Sequence, residues 1–299
     1  MQTEKPGINV LSMFDGMSCG QLALQRAGVK VDKYFSSEID KHAIAVTQAN
    51  FPGTVQLGDI QTIGKSEIEE LKKHTIDLVI GGSPCQGLSF AGKNLNFDDP
   101  RSKLFFNFVG ILKALKPRYF LLENVRMNKR SQSKITELLG VEPVVINSNL
   151  VSAQNRHRLY WTNIPFDMPE DRGLVLQDIL QPAEEVDAKY SAGERLLANF
   201  KGGNQLNSSY KSQANTIHDI EKPSPALMAG THGYAHGHIN LGISPDNKKI
   251  IRKLTPTEFA RLQTVPDGYC GAATDTQKYK MLGNGWTVDV VANIFKGVN

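Results

Sequence analysis

The chain has 299 residues, of which 40% are hydrophobic and 21% charged, and its net charge is +4. This composition is ordinary for a globular enzyme, and no apolar run approaches the roughly 20 residues that a membrane-spanning helix needs. The polar N-terminus predicts no signal peptide, and the three isolated cysteines argue against a disulfide framework or a zinc site, so we expect a cytoplasmic protein.

Residues 1–163 are predicted to alternate short apolar strands with helices. The predicted strands cover residues 9–14, 33–38, 54–57, 76–81, 119–122, 141–147 and 158–161. The predicted helices cover residues 21–27, 41–50, 66–73 and 103–115. Such alternation is typical of an α/β fold with a doubly wound, mostly parallel sheet that helices cover on both faces.

Residues 164–249 are richer in Gly, Asn, Ser, Pro and His, and helical periodicity fades there, which predicts a smaller, loop-rich domain. Helical patterning returns after residue 250. Thr255-Pro256-Thr257-Glu258 carries the cap, proline and acid of a helix start, and residues 288–295 predict a last helix. We therefore predict one domain formed by residues 1–163 and 250–299, and a second formed by residues 164–249.

Four histidines in the loop-rich segment raise the question of a metal: His218, His232, His236 and His238. No cysteine or acid lies at ligand spacing, and glycines separate the last three. We therefore expect polar loop residues and no metal cofactor.

Ligands of parallel sheets bind beyond the carboxyl ends of the strands, and five predicted strand ends carry suitable residues. These residues are Gly16, Glu38, Asp59, Cys85 and Glu123. The loop around Gly16 opens a helix and lets backbone approach a ligand, although an ordinary strand-to-helix turn would look the same. Glu38 suits a ribose diol and Asp59 an adenine amine. Together they indicate a nucleoside cofactor without a pyrophosphate.

Cys85 follows an apolar strand and the small residues Gly81-Gly82-Ser83-Pro84. A free cysteine is most often a small buried hydrophobe. Its place at a strand end, with Glu123 at the end of another strand, favours instead a nucleophile beside an acid.

Basic residues occur in two groups whose default interpretation is a solvated surface. On a continuous strand, Arg156 and Arg158 would project from one face, an arrangement suited to an anion or a polarised carbonyl. The second group offers phosphate contacts if the substrate is DNA, and consists of Arg126, Lys129, Arg130 and Lys134.

These residues, in this order, resemble the cytosine-C5 DNA methyltransferase family over nearly the whole chain. Eight motifs carry the resemblance: Phe14-Asp15-Gly16 with Gly20; Glu38 with Asp59-Ile60; Pro84-Cys85-Gln86; Asp99-Pro100-Arg101-Ser102-Lys103-Leu104; Glu123-Asn124-Val125; Gln154 with Arg156 and Arg158; Arg252-Lys253-Leu254-Thr255 with Glu258 and Arg261-Leu262-Gln263; and Leu282-Gly283-Asn284-Gly285-Trp286-Thr287-Val288.

The resemblance implies a Rossmann-like, S-adenosylmethionine-dependent DNA (cytosine-5-)-methyltransferase that releases S-adenosylhomocysteine. It implies that the Cys85 thiolate adds to C6 of a cytosine flipped out of double-stranded DNA, while Glu123 binds N3. Arg156 and Arg158 would hold the flipped base and the catalytic loop. The segment 164–249 would be the target recognition domain of a monomer without an obligate protein partner, from a bacterial or phage restriction-modification setting.

The remaining site residues follow from the same resemblance. The resemblance implies that four residues support the substrate and the catalytic loop: Ser83, Gln86, Asn124 and Gln154. Cofactor contacts fall to Phe14, Asp15, Gly16, Met17, Ser18, Cys19, Gly20, Glu38, Ile39, Asp59, Ile60, Pro84, Asn284, Trp286 and Thr287.

Two departures from the usual motifs resemble the vertebrate de novo branch: Phe-Asp-Gly-Met-Ser-Cys-Gly in the first loop, and Gly285-Trp286 in the last motif. Gln86 and Asn284 are bacterial in style. A tRNA cytosine methyltransferase is the first alternative, but that branch typically has a second proline before Pro-Cys, where this chain has Ser83, and a Cys-Phe-Thr signature that is absent here. A non-catalytic relative is the second alternative, and it should have lost Cys85, Glu123 or the cofactor acids.

Overall fold

The structure is a computed structural model that describes residues 6–83, 100–193, 197, 216–230, 236–243 and 249–298. It divides into two compact units. Unit 1 contains Met1–Asn147, His157–Met168 and Val290–Asn299, and unit 2 contains Ser148–Arg156 and Pro169–Asp289. The division of roles between residues 164–249 and the rest of the chain stays a prediction, because compactness alone assigns no role.

Unit 1 is built on a seven-stranded sheet with the order β3-β2-β1-β4-β5-β8-β6. Its strands are β1 (Ile8–Met13), β2 (Val31–Ser37), β3 (Val55–Gln56), β4 (Leu78–Gly81), β5 (Tyr119–Val125), β6 (Val144–Asn147) and β8 (His157–Thr162). The first five are parallel to one another, and β8 runs antiparallel between β5 and β6. The predicted mostly parallel α/β sheet is confirmed.

Helices join the parallel strands of unit 1 and bury its apolar residues. They are α1 (Cys19–Arg26), α2 (Lys41–Asn50), α3 (Lys65–Lys73), α4 (Pro100–Leu115) and α5 (Lys129–Leu139). Side chains from the strands and from α4 share one core, in which Leu11, Val79, Phe108, Leu122 and Trp161 are fully buried. Central strands buried on both faces need apolar residues on both faces, which is why β4 and the first half of β5 are continuous hydrophobic runs in the sequence.

Helix α5 was not predicted, although its ends carry ordinary signals. The Asn128 side chain caps its first turn by accepting from the Ser131 N–H at 2.8 Å, and Gly140 ends it in the left-handed conformation. From the sequence, the basic residues at its start predicted only a charged surface, and no helix.

Unit 2 combines short strands with two helices. A three-stranded sheet has the order β12-β11-β9, and β7 pairs with β10 in a second small sheet. These strands are β7 (Gln154–Asn155), β9 (Ile217–His218), β10 (Ser224–Pro225), β11 (His238–Ile243) and β12 (Lys249–Arg252). The helices are α6 (Pro256–Leu262) and α7 (Asp275–Asn284), and α8 (Val288–Phe295) is the last helix of the chain.

The predicted start of α6 is confirmed. Thr255 and Glu258 form a reciprocal cap, in which the Glu258 N–H donates to Thr255 Oγ1 at 3.2 Å and the Thr255 N–H donates to Glu258 Oε2 at 2.8 Å. Glu258 also accepts two hydrogen bonds from the buried Arg252 guanidinium, at 2.7 and 2.8 Å. Helix α7, which opens on a similar cap at Thr274, was not predicted.

Within the described residues, no helix is both long and apolar enough to cross a membrane.

Candidate functional site

The loop between β1 and α1 has an unusual backbone. Phe14, Gly16 and Ser18 all adopt the left-handed conformation, with φ of 58°, 58° and 59°. Glycine adopts it without strain, whereas Phe14 and Ser18 do so at a cost in energy that the surrounding structure must offset. The loop is therefore held in one specific shape where the sequence predicts a cofactor contact.

The Asp15 carboxylate holds this loop from inside the protein. Its oxygens accept hydrogen bonds from the hydroxyl groups of Tyr34 at 2.8 Å, Ser36 at 3.0 Å and Ser18. Burial raises the pKa of Asp15, and hydrogen bonds from neighbouring hydroxyl groups oppose this effect. Because these partners belong to unit 1 itself, the Asp15 side chain organises the loop from inside the protein.

Glu38 joins the first loop to the end of β2. Its Oε2 accepts from the Gly16 N–H at 2.7 Å, and its Oε1 accepts from the N–H groups of Ile39 and Asp40, both at 2.8 Å. The predicted proximity of Gly16 and Glu38 is therefore present. Ile39 beside them is 73% exposed, which is rare for a large aliphatic side chain and leaves an apolar surface next to the carboxylate.

Asp59 caps the short 3-10 helix that follows β3. Its Oδ1 accepts from the Gln61 N–H at 2.9 Å, while Ile60 is buried. The Ser37 hydroxyl donates to the Gly58 carbonyl at 2.8 Å and ties this turn to the end of β2. Glu38 and Asp59 thus follow two paired strands of the same sheet.

The segment that leads to the cysteine motif is anchored at Ser83. Asn124 Nδ2, on β5, donates to the Ser83 hydroxyl at 3.0 Å and to its carbonyl at 3.2 Å, and both residues are buried. Pro84, Cys85 and Gln86 lie outside the described residues, as do residues 87–99. Asn124 therefore fixes the backbone one residue before the predicted nucleophile segment.

Glu123 forms an ion pair with Arg158 across the β5–β8 pair. Arg158 Nε lies 3.1 Å from Glu123 Oε1, and the two side chains are only 15% and 11% exposed. The register explains the contact: Glu123 lies opposite Tyr160 and Val125 opposite Arg158, so the two charged residues are diagonal neighbours on one face. Strand β5 extends to Val125, so the prediction that it ends at Leu122 was wrong.

Arg156 does not extend that arrangement. Strand β7 ends at Asn155 and β8 begins at His157, so the predicted strand over residues 158–161 is present and Arg156 lies outside it. The buried Arg156 guanidinium donates to the backbone carbonyls of Leu227 at 3.1 Å, Gly283 at 3.1 Å and Gly285 at 3.0 Å. Arg156 and Arg158 therefore do not share a strand face, and the two guanidinium groups bind different partners.

The last motif forms the turn between α7 and α8. Asn284 is exposed, Trp286 is half-buried and Thr287 is buried. The Thr287 hydroxyl donates to Gln263 Oε1 at 2.8 Å and lies 2.8 Å from the Ser148 hydroxyl. The sequence reasoning gave Gln263 and Ser148 no role, since only the fold brings them to this turn. Gln154, predicted as a support residue, is fully buried here and donates to the Leu262 carbonyl at 3.0 Å.

Three histidines cluster inside unit 2. The His236 ring lies 5.1 Å from the His218 ring, and its Nε2 is 2.8 Å from the Ser224 hydroxyl. Burial lowers the pKa of His236 to about 3 and that of His238 to about 4. His232 lies outside the described residues. In the described part of the chain, no group of three or more His, Cys, Asp or Glu side chains is arranged to hold a metal.

Comparison with known proteins identifies relatives along nearly the whole chain. Residues 8–299 match the family model described as C-5 cytosine-specific DNA methylase. The type II methyltransferase M1.ScrFI of Lactococcus lactis subsp. cremoris is 32% identical over 94% of this chain and 75% of its own length. The type II methyltransferase M.NlaX of Neisseria lactamica is 30% identical over 95% of this chain and 94% of its own length.

A solved structure shares the fold at low sequence identity. The methyltransferase EhMeth of Entamoeba histolytica matches with a TM-score of 0.78 and 18% identity, over 99% of this chain and all of its own. The architecture described above is thus an established methyltransferase fold.

Proposed function

Because this chain belongs to the C-5 cytosine-specific DNA methylase family, we propose that it methylates C5 of a cytosine in double-stranded DNA, with S-adenosylmethionine as methyl donor. The observation that carries the proposal is the ion pair between Glu123 on β5 and Arg158 on β8, which holds an acid in place. The next residue on β5, Asn124, anchors the segment that leads to the cysteine motif, so the acid and this segment are held by the same strand. The type II names of the relatives support a role in restriction-modification.

The residues at the ends of β1, β2 and β3 fit the cofactor. Glu38 is held by three backbone N–H groups, and the exposed Ile39 beside it offers an apolar surface to a purine ring. Asp59 lies after the strand paired with β2 and would accept from the adenine amine. When bound, S-adenosylmethionine supplies an electrophilic methyl group on a sulfonium.

The chain's own residues would make the cytosine reactive. The Cys85 thiolate forms a bond to C6 while Glu123 holds the proton at N3, so the electron pair moves to C5 and makes it nucleophilic. After methylation, a water molecule accepts the C5 proton, the C–H electron pair re-forms the double bond between C5 and C6, and Cys85 leaves as a thiolate. The N3 proton then returns to Glu123. Arg158 keeps the Glu123 carboxylate in place during these steps.

Positively charged residues near the carboxyl end of β5 support duplex DNA as the partner. Arg126 directly follows β5 and is exposed, as are Lys129 and Arg130 at the start of α5. Burial, with the charges of Arg126 and Arg158, lowers the pKa of His157, which indicates a positive potential there. Such a potential suits a phosphate backbone, and reaching the base requires flipping it from the duplex at a cost of a few kcal/mol.

The nucleophile can be tested by covalent trapping on duplex DNA that carries 5-fluorocytosine, incubated with S-adenosylmethionine. We expect the wild-type protein to give a complex that survives denaturing electrophoresis, because fluorine at C5 prevents the release of Cys85. The Cys85→Ser protein should give none. Cys270→Ser is the matched control: Cys270 is buried and burial raises its pKa to about 11, so this thiol is unreactive and the control should trap like wild type.

Equal trapping by the Cys85→Ser protein would refute the assigned nucleophile. Tritium transfer to tRNA but not to duplex DNA would instead overturn the substrate and leave the chemistry in place.

A further inference from the structure

The carbonyl oxygen of Gly285 accepts hydrogen bonds from two side chains. Arg156 Nη2 donates to it at 3.0 Å, and Gln263 Nε2 also donates at 3.0 Å. A backbone carbonyl has two lone pairs, so both are occupied. The peptide plane between Gly285 and Trp286 is therefore fixed in orientation by two donors from different parts of unit 2.

The same two donors also hold the preceding turn. Arg156 Nη2 donates its second hydrogen to the Gly283 carbonyl at 3.1 Å, and Gln263 Nε2 donates to the Leu282 carbonyl at 2.7 Å. The backbone on both sides of Asn284 is thus anchored. Since both hydrogens of Arg156 Nη2 are used, that nitrogen has no donor left for a substrate.

Gly283 permits close contact on a further side of the turn. A Cβ atom at this position would lie 2.5 Å from the carbonyl carbon of Met228 and 2.6 Å from the Ala229 nitrogen. The neighbouring Leu227 is itself tied in, since its carbonyl accepts from Arg156 Nη1 at 3.1 Å and its N–H donates to Gln154 Oε1 at 2.8 Å. Arg156 thereby joins the 227–229 backbone to the turn.

We propose that Arg156 and Gln263 are positioning residues that present Asn284 and Trp286 to the methyl donor, and that Arg156 does not contact the cytosine. The inference rests on the proposed function, and on the family resemblance by which Asn284, Trp286 and Thr287 are expected to contact the cofactor. It separates the two arginines of one motif: Arg158 holds the acid Glu123, whereas Arg156 holds the turn. Asn284 is exposed and Trp286 half-buried, so both retain surface for a ligand.

The chain contains two tryptophans, which makes the turn directly observable. Trp161 is fully buried in the core of unit 1, so iodide quenching of fluorescence reports on Trp286. In the wild-type protein, S-adenosylhomocysteine should reduce this quenching. In the Arg156→Lys protein, we expect more quenching without ligand and about tenfold weaker S-adenosylhomocysteine binding, because lysine cannot hold three carbonyls in a fixed fork. At saturating cofactor and DNA, kcat should fall less than about threefold.

Arg158→Lys is the contrasting variant, and it should lower kcat while leaving S-adenosylhomocysteine binding near wild type. Arg118→Lys on the unit 1 surface controls for the exchange of arginine for lysine. If Arg156→Lys fails to fold, Gln263→Met removes the other donor to Gly285 at similar volume, and it should weaken the cofactor in the same way.

Wild-type S-adenosylhomocysteine affinity in a folded Arg156→Lys protein, combined with a kcat reduced by orders of magnitude, would overturn the inference and make Arg156 a catalytic residue. Failure of the wild-type protein to bind S-adenosylhomocysteine in calorimetry would overturn the proposed function itself.

Discussion

Asp15 illustrates what one buried residue can do for a loop. Three hydroxyl groups donate to its carboxylate, and burial raises its pKa. A carboxyl group whose pKa is raised on folding contributes stability that is present at low pH and is lost as pH rises through the folded pKa. Ionisation of this buried group at higher pH carries an energetic cost, which its hydrogen bonds oppose.

Asp15→Asn should therefore change the free energy of unfolding at pH 7 by less than about 1 kcal/mol. The amide oxygen still accepts, and the amide N–H₂ can donate to a serine hydroxyl that turns around. Asp15→Ala should cost about 2–4 kcal/mol, because three hydroxyls lose their acceptor. Chemical denaturation measures both values.

Binding of S-adenosylhomocysteine to the same two proteins decides how Asp15 acts. We expect the Asn variant to bind within about threefold of wild type, consistent with a role of the side chain in loop structure. A folded Asn variant that no longer binds would mean that the carboxylate charge contacts the cofactor.

The sequence could predict which residues meet at strand ends, but not which way each side chain points. Glu38 and Gly16 are brought together as their spacing indicated. The inward orientation of Asp15 depends on left-handed conformations at Phe14 and Ser18. Non-glycine residues rarely adopt this conformation, so the local sequence does not predict it. The partners of Arg156 lie more than 70 residues away in the chain, so local reasoning could not find them.

Among elements, the apolar strands and several helices were predictable, whereas α5 and α7 were not, although each begins with an ordinary cap. Helix α2 and the last helix have the predicted bounds. The last helix has strong apolar spacing, whereas α2 is bounded by the Asp40 cap and by Pro52. Strand β8 is antiparallel to β5 although most of the sheet is parallel, and direction depends on connections that residue patterns do not encode. Arg156 lies between β7 and β8, and its side chain contacts distant backbone that the alternation of residues does not reveal.

The histidine cluster should make unit 2 sensitive to acid. Burial lowers the pKa of His236 to about 3 and of His238 to about 4, so the folded state binds fewer protons than the unfolded state below the ordinary pKa of about 6.5. Stability is then lost as pH falls, by about 2 kcal/mol at pH 5 for each fully shifted histidine. His236→Gln should reduce the difference in unfolding free energy between pH 7 and pH 5, measured in urea. An undiminished difference would exclude His236 as its source.

At the scale of the whole molecule, the net charge of +4 is small, so DNA binding has to depend on where the charge lies. Arg126, Lys129 and Arg130 are exposed near the carboxyl end of β5. By contrast, the exposed Lys72 and Lys73 of α3 are paired with Glu69 and Glu70 at 2.7 and 2.6 Å. The first group is thus the better candidate for phosphate contacts.

Replacing Arg126, Lys129 and Arg130 by glutamine should weaken duplex binding and reduce the slope of log Kd against log salt concentration by about 2–3, since each lost phosphate contact removes roughly 0.9. Titrations at several salt concentrations measure the slope. The Lys72→Gln, Lys73→Gln protein is the control and should keep the wild-type slope, and an unchanged slope in the triple variant would remove this surface from the binding site.

The diagonal placement of Glu123 and Arg158 also limits how the gene can vary in length. Because side chains alternate between the two faces of a strand, inserting or deleting one codon within β5 or β8 would turn one of the two charged residues to the opposite face. Single substitutions at neighbouring positions leave both side chains on the same face, but a register shift of one residue separates the ion pair. Insertions and deletions should therefore be tolerated between these two strands and not inside them.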